Sequence, residues 1–147
     1  MKATKLNSFT GSVLSLATAL LLTLLIQSCT TKHAFSTSPI VPAAEGSVKV
    51  KKDKNSNYNI DLSVIRLADS KRLSPSKEMY IVWMETEQNG TKNIGQLKTS
   101  SGMLSKTLKS SLKTVSSFKP TKIFITAEND ATVQYPGSLM VLETSSF

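Results

Sequence analysis

The sequence predicts an all-β fold, a single antiparallel β-sandwich of about seven strands within residues 47–147. Apolar and polar side chains alternate in several short segments, most regularly over residues 58–64. Turn residues separate these segments at short intervals, including Asn89-Gly90 and Pro136-Gly137. Many short strands with turns between them are typical of sandwiches, and not of alternating strand and helix units.

The predicted strands are 47–51, 58–64, 79–87, 91–98, a segment near 104–109, 121–128 and 139–143. The first is short and rich in lysine, which suits the edge of a sheet because charges discourage pairing with other chains. Ile65 and Leu67 continue the apolar pattern on the opposite parity, which predicts a bulge or a twist near Val64. Residues 79–84 are apolar on both faces and predict a central strand, and residues 99–102 predict a turn.

Residues 103–118 can be interpreted as strand or as helix. Leu104, Leu108, Leu112 and Val115 have helical spacing. The segment is nevertheless rich in serine and threonine and lacks a clear helix cap. We favour extended structure here, with an amphipathic helix as the alternative.

Asn89-Gly90 predicts a β-hairpin, because both residues tolerate positive φ. A two-residue turn would place Trp83 opposite Gln96, whereas a three-residue loop with a bulge would place Trp83 opposite Gly95. One step of slip exchanges the two faces of a strand. We favour the second register, because an indole lying over a glycine gains burial, and we expect Trp83 in the core.

Residues 1–28 predict a secretory signal peptide. Lys2 and Lys5 precede an apolar run over 13–26, and no acidic residue occurs before Glu45. The run of about 14 residues is shorter than the roughly 20 that a helix needs to span a bilayer. An exported protein is therefore expected.

Ile26, Ser28 and Cys29 resemble the lipobox of bacterial lipoproteins, which reads aliphatic, variable, small, cysteine. The resemblance implies cleavage before Cys29, a diacylglyceryl thioether on its sulfur and acylation of the new amino terminus. Lipid attachment also accounts for a lone thiol, which is a liability in an exported protein. The alternative is an ordinary secretory signal with an incidental cysteine. Thr30 in place of aspartate implies, by the same resemblance, outer-membrane sorting.

Residues 29–46 predict a flexible tether after the lipidated cysteine. Small and polar residues dominate this segment, it contains Pro39 and Pro42, and it shows no apolar period. Fully extended, it would reach on the order of 50 Å at roughly 3 Å per residue. The expected organisation is signal peptide 1–28, tether 29–46 and sandwich 47–147.

The chain is basic, with a formal net charge of +8. One cluster contains Lys49, Lys51, Lys52 and Lys54. For an exported protein the nearest anionic partners are lipid headgroups and lipopolysaccharide-like polyanions. Few aromatic residues occur and none interleaves with the cluster, so nucleic acid is not an expected partner. The simplest interpretation of the cluster is a solvated face of an edge strand.

Two stretches together resemble the C-terminal extracytoplasmic domain of anti-sigma-K-type factors, an immunoglobulin-like sandwich. The first stretch consists of residues 80–84, the Asn89-Gly90 hairpin and residues 94–97. The second consists of residues 124–128 and the turn at Pro136-Gly137. The resemblance covers 46–144 and implies an immunoglobulin-like fold. Those factors carry a cytoplasmic helical domain and a membrane-spanning helix where this chain has a lipoprotein signal, so sigma-factor binding is not implied. The signal and tether also resemble small lipoproteins of Bacteroidetes-type bacteria.

We expect no enzymatic activity, cofactor or metal site. His33 is the single histidine and lies in the predicted tether, which rules out a histidine-based triad within one chain. Glu85 and Glu87 lie on one face of a predicted strand, as a catalytic carboxylate pair would, but they are expected to be an ordinary surface pair. Three aspartates are too widely separated for a calcium loop: Asp53, Asp61 and Asp69.

The expected function is therefore a non-enzymatic binding or assembly module of the cell envelope. The membrane would be contacted through the lipid on Cys29, and the partner would be another envelope protein or an anionic surface. A sensory or regulatory role in envelope signalling is the alternative, suggested by the anti-sigma resemblance.

Overall fold

A computed structural model describes residues 30–101 and 108–147. The described chain contains nine strands and one short 3₁₀ turn at Ser70–Arg72. The strands are β1 (Thr30–Ala34), β2 (Glu45–Lys52), β3 (Tyr58–Ile65), β4 (Met79–Thr86), β5 (Gly90–Gln96), β6 (Lys98–Ser101), β7 (Leu108–Ser116), β8 (Pro120–Glu128) and β9 (Met140–Glu143). The predicted signal peptide 1–28, Cys29 and part of the ambiguous segment lie outside the described residues.

The strands form two antiparallel sheets that pack face to face. One sheet has the order β1-β2-β3-β7-β6, and the other has the order β5-β4-β8-β9. Apart from β1, these orders correspond to the ABED sheet of an immunoglobulin domain and to its CFG sheet with one added strand. The predicted immunoglobulin-like sandwich is confirmed, with nine strands in place of about seven.

The core lies between the two sheets, where alternate side chains point inward. On β3, the side chains of Ile60, Leu62 and Val64 are buried, while Asn59 and Ser63 are exposed. This alternation confirms the predicted half-buried strand. Burying each such aliphatic side chain stabilises the fold by roughly 1.5–3 kcal/mol.

The pairing of β3 with both neighbours is continuous through Ile65, so of the two alternatives predicted near Val64 the bulge is wrong. The apolar pattern changes parity because the chain leaves the sheet at Arg66, which has a φ of 55°. Arg66 also forms a salt bridge with Glu45 and donates from Nε to the Ala43 carbonyl at 3.1 Å. Leu67 then enters the core from outside the strand.

β4 is buried on both faces, as predicted for a central strand. It pairs with β5 on one side and β8 on the other. Tyr80, Val82 and Met84 face the sandwich core. On the outer face, Ile81 and Trp83 form a second apolar cluster with Phe124, against which Val133 packs. The tryptophan is fully buried, but in this outer cluster.

The hairpin register differs from both predicted registers. Thr86 pairs with Gly90, and a shift between Val82 and Trp83 places Trp83 opposite Asn93 and Val82 opposite Gly95. Trp83 does not need a glycine partner, because the outer cluster already covers it. Gly95 instead leaves room for the facing sheet, since a Cβ atom there would lie 3.2 Å from Leu112 Cδ1.

Residues 30–34, predicted as tether, form an edge strand. Thr30 pairs with Lys51 and Ala34 with Ser47, so β1 covers the outer edge of β2. β2 is consequently not the edge strand that its lysines suggested. The five residues of β1 are too few to show the two-residue period of a strand, and the small and polar residues that follow them show no period either.

Residues 35–44, also predicted as tether, pack on the sandwich. Phe35 forms an isolated bridge with Thr144, and the Ser36 N–H donates to the Glu143 carbonyl at 2.8 Å. The segment therefore passes from the edge of one sheet to the edge of the other. Val41 and Ala44 are buried at positions without regular spacing, which is why the sequence pattern did not reveal them.

The segment around 98–118 contains two strands. β6 occupies Lys98–Ser101, where a turn was predicted at 99–102. β7 occupies Leu108–Ser116, so the helical alternative is wrong for these residues, and residues 102–107 lie outside the described structure. β7 pairs with β3 from Lys109 to Ser116, and this pairing outweighs the helical spacing of its leucines.

Candidate binding surfaces

The chain enters the fold directly after the predicted lipid-attachment residue. Cys29 lies outside the described residues, and the next residue, Thr30, is the first of β1. Thr30 lies opposite Lys51, near the end of β2. Little free chain would therefore separate a lipid on Cys29 from the sandwich.

The outer surface of the five-stranded sheet is strongly basic, and we call it the lysine face. Its side chains come from the outward-pointing positions of each strand, opposite in parity to buried residues such as Val48 and Leu62. Its lysines are Lys32, Lys49, Lys51, Lys98, Lys109 and Lys113. These residues are separated in sequence, and the antiparallel pairing brings them onto one surface.

One row across the lysine face has an unfavourable arrangement of charge. Lys32 lies directly opposite Lys49, which in turn lies opposite Asp61. Lys113 is the next residue in the row, and its Nζ lies 3.4 Å from Asp61 Oδ2. Like charges opposite each other on neighbouring strands destabilise a sheet. Lys32 was not part of the predicted cluster, because its strand was not predicted.

The predicted cluster is divided between two surfaces. Lys49 and Lys51 belong to the lysine face. Lys52 lies at the end of the sandwich, with its Nζ 5.9 Å from the centre of the Tyr58 ring. Lys54 is exposed in the turn between β2 and β3.

A cleft of about 340 Å³ opens at the end of the sandwich where β2 ends and where β3 and β8 begin. We call it the end cleft. Its walls are mainly apolar and aromatic. They are formed by Thr31, His33, Val50, Lys52, Tyr58, Lys119, Pro120 and Phe147.

His33, which was expected to lie in a flexible tether, is half-buried in the wall of the end cleft. Its ring stacks on Phe147, with ring centres 3.5 Å apart and planes 17° from parallel. The Phe147 N–H donates to the Thr121 carbonyl at 2.8 Å, which fixes this aromatic pair against β8. Burial lowers the pKa of His33 from its usual value of 6.5, because the charged imidazolium loses hydration.

A larger opening of about 520 Å³ lies beside Tyr80. Its walls carry charges of both signs, from Asp69, Glu78 and Lys98. The Tyr80 hydroxyl donates to the Ala68 carbonyl at 2.9 Å. Burial, with a smaller effect of the Asp69 charge, raises the pKa of Tyr80 to about 12. The mixed charges match no single class of ligand.

Glu128 is a buried carboxylate that sequence reasoning missed. Its Oε1 accepts from the Thr126 hydroxyl at 2.6 Å and from the Gly137 N–H at 2.7 Å. Thr126 in turn accepts from the Trp83 indole at 2.7 Å. These bonds satisfy the buried polar atoms and attach the segment after β8 to the sheet, so the role of Glu128 is structural. Its position at the end of a strand gave no signal of burial.

The structure does not bring together into one site the acidic residues that the sequence offered as candidates for catalysis or calcium binding. Glu85 lies on β4 opposite Thr91 and Lys122, and Glu87 is exposed in the loop beyond that strand. The three aspartates have separate local roles. Asp53 accepts backbone N–H bonds in the β2–β3 turn, Asp61 pairs with Lys113, and Asp69 accepts from the Lys71 N–H. Within residues 30–101 and 108–147, no group of three metal-ligating side chains could hold an ion.

Comparison with family models, curated proteins and solved structures finds no match for this chain. Across the described part of the chain, no helix has the length and apolar character needed to cross a membrane.

Proposed function

We propose that this protein is a lipid-anchored, non-enzymatic binding module of the cell envelope, attached to the outer membrane through Cys29. Its partner is an anionic surface of the envelope. The observation that carries the proposal is the lysine face on the sheet whose edge strand begins one residue after Cys29.

The position of β1 supports close contact with the membrane. With a lipid on Cys29, only one or two residues separate the five-stranded sheet from the lipid headgroups. A free tether over 29–46 would have held the sheet farther from the membrane. A lysine near an anionic membrane surface contributes about 1 kcal/mol to binding, and this contribution falls off within a Debye length. The short connection therefore keeps the lysine face within range of that attraction.

The charge arrangement also supports an anionic partner. Lys32 opposite Lys49 weakens the sheet in the isolated protein. Phosphate or carboxylate groups placed over this pair would relieve the repulsion. The same sheet has few large apolar side chains on its outer surface, so an apolar protein interface is less suited to it.

Lipid attachment is tested with Cys29→Ala in the native host. Mass spectrometry of the wild-type protein is expected to show an acylated cysteine at the amino terminus. The variant is expected to lose the acyl mass and to leave the membrane fraction. A variant that sediments with membranes as firmly as the wild type would contradict the anchor.

The lysine face is tested separately, on the unlipidated Cys29→Ser chain. Combining Lys32→Gln with Lys49→Gln is expected to weaken binding to phosphatidylglycerol vesicles about thirtyfold, since about 2 kcal/mol is lost. Lys71→Gln with Lys77→Gln removes the same charge away from the face and should have a smaller effect. Equal losses in the two double variants would contradict a specific face.

A further inference from the structure

We propose that the end cleft binds a single-chain amphiphile with an anionic head group, of the class of a long-chain fatty acid. The cleft is lined by aromatic and aliphatic side chains and has two lysines in its walls. This inference goes beyond envelope attachment and does not depend on a lipid at Cys29.

The apolar walls suit an aliphatic chain. Val50, Tyr58, Pro120 and Phe147 present carbon surfaces to a space of about 340 Å³, which is within the usual size of small-ligand sites. Polar atoms form only a small part of the exposed wall of this space. A peptide would lose hydration of its backbone there without replacement, whereas an alkyl chain has no polar group to satisfy.

The lysines suit an anionic head group. Lys52 is the last residue of β2, and Lys119 immediately precedes β8, so the two ammonium groups come from opposite sheets. Among the described side chains that line the cleft there is no carboxylate. An anion is therefore attracted from both sides, while a cationic head group of the same size is repelled.

The cleft is held open by contacts that exist without a ligand. The stacked His33 and Phe147 rings form one wall, and Phe147 is attached to β8 by its backbone bond to Thr121. β1 carries Thr31 and His33 into the site through its pairing with β2. A preformed cleft lowers the ordering cost of binding.

The test is calorimetric titration of the Cys29→Ser chain with laurate below its micelle concentration. Saturable binding of one laurate per chain is expected. Dodecyltrimethylammonium has the same chain with a cationic head, and we expect it to bind at least tenfold more weakly. Acetate, which has the head group without the chain, should give no measurable binding.

Three variants locate the binding site. Val50→Trp fills the cleft and should abolish laurate binding, with circular dichroism confirming the fold. Combining Lys52→Gln with Lys119→Gln changes two exposed side chains and should weaken laurate binding at least tenfold while leaving dodecanol binding unchanged. The matched control, Lys98→Gln with Lys109→Gln, removes the same charge from exposed positions outside the cleft and should have no effect.

Non-saturable uptake of laurate, equal affinity for the cationic amphiphile, or laurate binding unchanged in the two-lysine variant would each overturn the proposal. These outcomes are independent of membrane attachment, because every titration uses a chain without the anchor cysteine. Failure of this proposal is thereby distinguishable from failure of the proposed function.

Discussion

Trp83 and Thr126 join two neighbouring strands through a buried hydrogen bond on the outer face of the four-stranded sheet. The indole Nε1 donates to Thr126 Oγ1 at 2.7 Å, and the same hydroxyl donates to Glu128 Oε1 at 2.6 Å. Gly137 completes the chain of bonds through its N–H. Connected bonds of this kind polarise one another and specify a single packing.

Thr126→Val is expected to destabilise the fold by about 2–3 kcal/mol. The substitution conserves shape but leaves the Trp83 N–H without a buried partner and removes one of the two hydrogen bonds that the Glu128 carboxylate accepts. Urea denaturation followed by tryptophan fluorescence measures the loss.

The matched control for that variant is Thr126→Ser, which keeps the hydroxyl and loses a methyl group. It should cost no more than about 1 kcal/mol. If serine and valine destabilised the fold equally, the lost packing and not the hydrogen bond would be responsible.

Gly46→Ala is expected to cost about 3 kcal/mol. A Cβ atom at this position would lie 2.6 Å from the Ser63 carbonyl oxygen and 2.9 Å from Val64 Cγ2, so β2 and β3 would have to separate. Thermal and urea unfolding measure this cost.

Gly90→Ala is the comparison for Gly46→Ala. Gly90 has a φ of 65° but open space around it, so only the backbone preference is lost, about 1 kcal/mol. A Gly46→Ala variant no less stable than Gly90→Ala would show that the two strands separate more easily than their packing indicates.

His33 makes stability depend on pH below neutrality. Because its pKa is lowered in the folded state, the unfolded chain binds the proton first as the pH falls. The stability contributed by neutral His33 is fully present above pH 6.5 and is lost as the pH falls through the folded pKa. Urea denaturation at a series of pH values from 8 to 4 measures the loss.

His33→Phe preserves the stack on Phe147 and removes the titration. Its free energy of unfolding, subtracted from that of the wild type at each pH, should isolate the contribution of His33. A difference that does not change with pH would contradict the role of this histidine.

Strands could be predicted from the sequence where the apolar residues recur at every second position and all of them are buried on one face. β3 was predicted within one residue because its inward apolar side chains alternate with polar ones along the strand itself. β1 was missed because its five residues, Thr-Thr-Lys-His-Ala, contain no large aliphatic side chain. Its stability comes from pairing with β2, which is a property of the folded sheet.

Pairing partners were harder to predict than strands. The register of β4 and β5 shifts between Val82 and Trp83 and sets Val82 opposite Gly95, which lies against Leu112 of the facing sheet, a residue distant in sequence. The end cleft has the same origin, because β1, the end of β2, the start of β8 and Phe147 meet there only in the folded chain. A local pattern cannot indicate such a site.

Asn93→Asp is expected to release residues 129–139, the segment that covers Trp83, from the sheet. Asn93 Nδ2 donates to the carbonyls of Ala131 and Val133 at 3.0 Å each, while its Oδ1 accepts from the Gly95 N–H. Aspartate keeps the acceptor and loses both donor bonds. If each contributes about 1 kcal/mol, amide exchange over 129–139 should accelerate roughly thirtyfold.

Tryptophan emission provides a second measurement of the same release. Trp83 should shift to longer wavelength as Val133 moves away from the outer cluster. Asn59→Asp makes the same chemical change at an exposed position on β3 and should alter neither exchange nor emission. Unchanged protection of 129–139 in Asn93→Asp would mean that Glu128 alone, through its bond to Gly137, suffices to hold the segment on the sheet.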